Sequence, residues 1–188
     1  SSSLEKDILP ELVRRKKLQG KKYTDKHNNF IDIGVPKDYE KVKNFLFSTI
    51  LKKAAFLDRD GVINEDSGYV YKIKDFIWKK DAIRAIKYLN DKNFYVFIVT
   101  NQDGVARGYY KESDVEKLHH WLSCELNKKG AYIDEYFYST YHESSKKKFT
   151  NKEKKLRKPD IGMIKLAISK WKVLTKKSIV IGDRETDM

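Results

Sequence analysis

Hydrophobic and polar positions change rhythm near residue 54. From there, short apolar runs alternate with stretches in which apolar residues recur every three or four positions. "AAFLD" (54–58), "YVFIVT" (95–100), "YIDEYFYS" (132–139) and "SIVIGD" (178–183) have the length of strands. Their near-continuous apolar character is that of parallel strands covered on both faces. Between them lie helical patterns. "DAIRAIKYLNDKN" puts Ile83, Ile86 and Leu89 on one face. "SDVEKLHHWLSCELNKKG" opens with Ser113 and Glu116 at capping-box spacing and closes on Gly130. "PDIGMIKLAISKW" places Pro159 where a first helical turn tolerates it. This alternation predicts an α/β fold, a doubly wound parallel sheet. Ligands bind such sheets at the carboxyl ends of the strands, and those ends carry Asp58, Thr100, Ser139 and Asp183.

Residues 1–53 follow another pattern. "SLEKDILPELVRRKK" and "KDYEKVKNFLFSTILKK" read as helices, the second with Tyr39, Val42, Phe45, Leu46 and Ile50 at helical spacing, and "NFIDIGVP" reads as a short strand between them. A boundary is expected near residue 50, giving a segment 1–50 and a domain 51–188.

Composition narrows the function classes. No run approaches the roughly 18 apolar residues needed to cross a bilayer, and residues 1–20 lack the apolar stretch of a signal peptide. The expectation is a soluble cytoplasmic protein with no membrane partner. The single cysteine, Cys124, excludes an internal disulfide and reads as a small buried residue of a helix. The formal charge of +13 comes from 40 basic against 27 acidic residues, and 33 of the basic ones are lysine. Lysine is the weaker choice where bidentate phosphate or base recognition is needed. The block "SKKKFTNKEKKLRK" (145–158) raises a basic nucleic-acid-binding module as an alternative, but it holds one aromatic residue, Phe149, where stacking on bases asks for several. Nucleic acid is therefore not the expected partner.

The chemistry concentrates in "FLDRDGVINEDSGYV" (56–70). Asp58 and Asp60 stand one residue apart after an apolar run, with Asp66 nearby. Like charges that close raise each other's cost of ionising unless a cation lies between them.

Four stretches in order, "DRDGV", "VTNQDGVARG", "RKPDIG" and "IGDRETD", resemble the haloacid dehalogenase-like phosphatases. "FLDRDGVINEDSGYV" and "VTNQDGVARGYY" look most like the D,D-heptose 1,7-bisphosphate phosphatases and the related histidinol-phosphate phosphatases, over residues 54–188. The resemblance implies Asp58 as the nucleophile that forms an aspartyl-phosphate and Asp60 as general acid and base. It implies a magnesium ion held by Asp58, the main-chain carbonyl of Asp60, and Asp183. Thr100 and Asn101 would donate to phosphoryl oxygens, Lys158 would offset the developing charge, and Arg157 would grip a second substrate phosphate. Asp187 is a secondary candidate, reaching the metal through water or touching Lys158.

The same resemblance sets up a departure. The heptose phosphatases carry a Cys-x-His and Cys-x-Cys zinc loop before the arginine-lysine-proline motif, and here Ser139, Tyr141, Lys154 and Leu156 stand where ligands are expected. Zinc is not expected. "SLEKDILPELV" and "NFIDIGVPKDYEKVKNFL" look like the C-terminal end of a sugar-1-phosphate nucleotidyltransferase, with Asp32 at a metal-assisting position. A fused nucleotidyltransferase domain is expected in the full protein. The phosphatase domain is expected to be cut short at Met188, since the family continues with a further helix and strand. The reading is a magnesium-dependent phosphatase acting on a small sugar phosphate, the C7 phosphate of a heptose 1,7-bisphosphate. The alternative substrate is histidinol phosphate or another small phosphomonoester.

Overall fold

The computed structural model describes residues 3–19, 42, 51–145 and 148–187. The chain divides into two units, Ser1–Val42 and Lys43–Met188. In the first, a π-helical turn, Leu4–Ile8, runs into helix α1, Leu9–Arg14. Ser3 caps the turn by accepting from the Lys6 N–H at 3.3 Å, and Glu11 pairs with both Arg14 and Arg15. The expected strand with Asp32, and nearly all of the expected second helix, lie outside the described residues. So do Lys146 and Lys147 of the lysine block.

The second unit is built on four parallel strands: β1 (Ala54–Leu57), β2 (Tyr95–Asn101), β3 (Glu135–Ser139) and β4 (Ile179–Ile181), in the order β3-β2-β1-β4. The continuous apolar runs have the predicted cause. Ala55, Leu57, Val96 and Ile98 face one core, with Ile86 and Leu89 of helix α2 (Ala82–Asp91) and Leu118, Leu122 and Leu126 of helix α3 (Glu112–Lys128). Their neighbours Ala54, Phe56, Tyr95, Phe97 and Val99 face a second core, closed by Met163 and Ala167 of helix α5 (Gly162–Lys170) and by Trp171. A period of two thus feeds apolar side chains to both faces. Right-handed crossovers explain the order. The chain steps from β1 to β2 to β3 with helices on one face, then returns past β1 to β4 with α5 on the other.

Several local signals resolve differently. β4 is not buried on both faces. Ile179, Val180 and Ile181 are 39–43% exposed, and among the described residues β4 pairs with β1. Helix α3 starts at Glu112 rather than beside Ser113, and the carboxylate of Asp114 accepts from the Lys111 N–H at 3.0 Å. Pro159 precedes α5 by three residues instead of entering its first turn. Cys124 is exposed, on the outer side of α3, rather than buried. Thr150 caps the short helix α4 (Asn151–Lys154), and Tyr141 meets Phe149 edge-on at 5.3 Å with the Lys154 ammonium 5.9 Å above its ring. Tyr141 and Lys154, two positions where the resemblance places zinc ligands, therefore still meet.

Candidate active site

The chain leaves β1 for one side of the sheet and later returns to the other, so a crevice opens at the carboxyl ends of the strands. A cleft of about 310 Å³ occupies it, lined by Asp58, Asp60, Thr100, Asn101, Lys158 and Asp187, among others. Asp58 closes β1. Its N–H donates to the Ile181 carbonyl at 2.9 Å, carrying the β1–β4 pairing one step past the strand. Its Oδ1 accepts from the Arg59 N–H at 2.7 Å and faces the Lys158 Nζ at 2.9 Å. Burial raises the Asp58 carboxyl to about 6; the Lys158 ammonium opposes that rise and the neighbouring Asp187 charge adds to it.

Lys158 is held from two directions. Its ammonium bridges Asp58 and the buried Asp187. Its backbone is clamped by Asn101, whose Oδ1 accepts from the Lys158 N–H at 3.0 Å while its Nδ2 donates to the Lys158 carbonyl at 3.2 Å. Asn101 was expected to serve the phosphoryl group; here its amide fixes the lysine, leaving the second Nδ2 hydrogen for a ligand.

Carboxylate oxygens of Asp58, Asp183 and Asp187 lie within 4.8 Å of one another. Asp183 comes close because Gly61 leaves room. A Cβ on Gly61 would stand 2.1 Å from the Asp183 Oδ2, and its φ of +89° is one that glycine alone takes readily. Three carboxylates converge here, and the Lys158 ammonium pairs with two of them, Asp58 and Asp187. Hard oxygen donors of this kind fit a small hard divalent cation. Asp187 therefore joins Asp58 and Asp183 more closely than its secondary standing in the sequence implies. The carboxylate of Asp60 lies outside the trio, so a place for Asp60 among ligands rests on its main-chain carbonyl alone.

Asp60 sits in a different web. Its Oδ1 accepts from the Asn64 Nδ2 at 2.9 Å and its Oδ2 from the Gln102 Nε2 at 2.9 Å, while the Arg59 Nη2 reaches both oxygens at 2.9–3.1 Å. Arg59 has no exposed surface, and its guanidinium also donates to the Val70 carbonyl at 2.6 Å and the Gln102 Oε1 at 3.1 Å. The His119 Nε2 lies 3.3 Å from the same guanidinium. Burial first, and the Arg59 charge second, lower the His119 imidazole to about 3, so it stays neutral and acts as an acceptor.

Thr100 is buried at the cleft floor. Arg157 does not line the cleft. Its Nη2 pairs with Asp103, which does, at 3.3 Å, and its Nη1 donates to the Tyr141 carbonyl at 3.1 Å. Arg107 stands on the other side of Asp103 at 3.7 Å. Two guanidiniums around one carboxylate leave that rim positive.

The sequence did not single out Arg59, Gln102, Asn64, Tyr110 or the Asp66–Arg184 ion pair, which ties the loop after β1 to the loop after β4. One signal was available: Gln102 follows Thr100 by two, as Asp60 follows Asp58, at the ends of adjacent strands.

The family described as polynucleotide kinase 3 phosphatase matches residues 53–186. A D-glycero-beta-D-manno-heptose-1,7-bisphosphate 7-phosphatase of Rhodopseudomonas palustris is 42% identical over 137 residues, covering 73% of this chain and 76% of that protein. The D-glycero-alpha-D-manno-heptose-1,7-bisphosphate 7-phosphatase of Photorhabdus laumondii is 38% identical over 136 residues, covering 72% and 74%. Among solved structures, a D,D-heptose 1,7-bisphosphate phosphatase of B. bronchiseptica, complexed with magnesium and phosphate, superposes with a TM-score of 0.63 at 27% identity, covering 72% of each chain.

Proposed function

The chain belongs to the polynucleotide kinase 3 phosphatase family, a haloacid dehalogenase-like group, and from that premise we propose that it is a magnesium-dependent phosphomonoesterase that removes the 7-phosphate of a heptose 1,7-bisphosphate. The observation that carries the reading is Asp58, a carboxylate at the tip of the central strand, facing Lys158 and converging with Asp183 and Asp187. The heptose substrate is supported by relatives above 35% identity named for it and by the nucleotidyltransferase-like stretch in residues 1–53, an activity that would act on the same sugar in the cytoplasm.

Asp58 is the nucleophile in this reading. Its Oδ1 is engaged by the Arg59 N–H and Lys158, which leaves Oδ2 to attack phosphorus. As the P–O ester bond breaks, Asp60 gives a proton to the leaving alkoxide; in the second step it takes one from the water that attacks the aspartyl-phosphate, releasing phosphate and the Asp58 carboxylate. Thr100, the remaining Asn101 hydrogen and Lys158 receive the phosphoryl oxygens. Asp58, Asp183, Asp187 and the main-chain carbonyl of Asp60 would hold magnesium, which supplies charge neutralisation at the phosphoryl group. Arg157 and Arg107, on the positive rim, are placed to draw in the second phosphate.

Phosphate release measured across both anomers of heptose 1,7-bisphosphate, histidinol phosphate, simple hexose phosphates and a 3′-phosphorylated oligonucleotide tests the reading. A heptose bisphosphate is expected to give the highest kcat/KM by tenfold or more (~1.4 kcal/mol). Preference for histidinol phosphate or for the oligonucleotide would overturn the substrate.

A further inference from the structure

Gln102 is 2% exposed and has no place in the chemistry above, yet its amide touches two groups that do. Its Nε2 donates to the Asp60 Oδ2 at 2.9 Å and to the Thr100 Oγ1 at 2.9 Å. Its Oε1 accepts from the Arg59 Nη2 at 3.1 Å and from the Tyr110 hydroxyl at 2.9 Å. The orientation of this amide is determined twice over. Arg59 is a donor only, so the atom facing it is oxygen; an ionised Asp60 is an acceptor only, so the atom facing it is nitrogen. The two constraints agree. The Gln102 main chain is fixed as well, its N–H donating to the Ser139 carbonyl at 2.7 Å on the neighbouring strand.

The consequence concerns a hydrogen atom. Because the Thr100 Oγ1 accepts from Gln102, its own O–H is left to donate elsewhere, and Thr100 lines the cleft together with Asp58. The same amide pins one oxygen of Asp60. We propose that Gln102 is a positioning residue that locks the acid–base carboxylate to the phosphate-binding hydroxyl, setting the direction of both with one side chain. The proposal rests on the phosphatase reading, which assigns those two roles.

Gln102→Met keeps the length of the side chain and removes both donors, and Gln102→Glu keeps an acceptor for Arg59 and Tyr110 while offering Asp60 and Thr100 no N–H. With an alkyl phosphate, whose leaving oxygen needs a proton, kcat should fall roughly ten- to hundredfold in each variant; with p-nitrophenyl phosphate, whose leaving group needs none, it should fall far less. Inhibition by inorganic phosphate should weaken several-fold, and Gln102→Met should add nothing to that weakening in a Thr100→Val background. Equal losses on alkyl and aryl esters with unchanged phosphate inhibition, in variants with wild-type circular dichroism, would overturn the proposal. Should both variants fail to fold, Tyr110→Phe removes one partner of the Gln102 oxygen, and a smaller loss with the same leaving-group dependence is expected; a loss independent of the leaving group counts against it. A wild-type chain that hydrolyses neither ester rejects the phosphatase reading and this proposal with it.

Discussion

In the role proposed for it, Asp58 combines two demands that pull against each other: a nucleophile must be ionised, yet burial raises its carboxyl to about 6 and the charge of Asp187 pushes the same way. Lys158 offsets this only in part, so function here is held at some cost to stability. Asp58→Asn should reduce turnover to less than about a thousandth and abolish the beryllofluoride adduct, while the melting temperature without metal stays the same or rises. Retained turnover would remove Asp58 from the role. The trio of carboxylates gives a second expectation. Chelation should silence hydrolysis, and magnesium at about a hundred times its Kd should stabilise the fold by roughly 2.7 kcal/mol. Asp183→Asn should lose most of that stabilisation, which differential scanning fluorimetry reads without any turnover; an undiminished shift would place the ion elsewhere. Asp58, Asp60 and Asp183 were legible because a carboxylate closing an apolar run is visible locally. Arg59, Gln102 and His119 were not, since their meaning depends on partners 43 and 60 residues apart in sequence, brought together only by the sheet.

At the scale of elements, strands and helices were legible for the same reason they are stable: the apolar period fixes which side faces a core. Starts and caps were not, because several polar residues compete at each end. Asp114 won over the Ser113–Glu116 pair once α3 began two residues earlier. The entry to β3 shows a polar group that no pattern announces. The Asp134 carboxylate accepts from the Val96 N–H at 2.7 Å, while the Asp134 N–H donates to the Val96 carbonyl at 2.8 Å, docking the strand onto β2. Burial raises its carboxyl to about 6, more than that hydrogen bond and Lys52 lower it. A folded-state value above the unfolded one means the contribution to stability is fully present below pH ~4 and is lost as pH rises through about 6. Asp134→Asn keeps an acceptor for Val96 without the buried charge. It should stabilise the protein at pH 8 by on the order of 2 kcal/mol and not at pH 4, by urea denaturation at each pH. A variant destabilised at pH 8 but not at pH 4 would show that the charge itself is used, and equal destabilisation at both would point to the geometry of the acceptor instead.

Across the whole molecule, the excess of 40 basic over 27 acidic residues sets a field rather than a fold. Basic residues gather in the 145–158 stretch, which runs directly into the lysine that bridges Asp58 and Asp187. The same stretch supplies Arg157 to the positive rim around Asp103. A positive field there raises the local concentration of a doubly phosphorylated sugar more than that of a singly phosphorylated one, and it fades as salt shortens the Debye length to about 8 Å at physiological strength. Replacing Lys146, Lys147 and Lys148 together with glutamine should raise KM for a heptose bisphosphate several-fold more than for a hexose monophosphate. The difference should shrink above about 0.5 M salt. Asp58, Asp60 and Lys158 stay in place, so kcat should hold. Equal KM changes on both substrates would make the block a solvated loop, and salt-sensitive binding of single-stranded nucleic acid lost in the triple variant would instead assign it to a polyanion of another class.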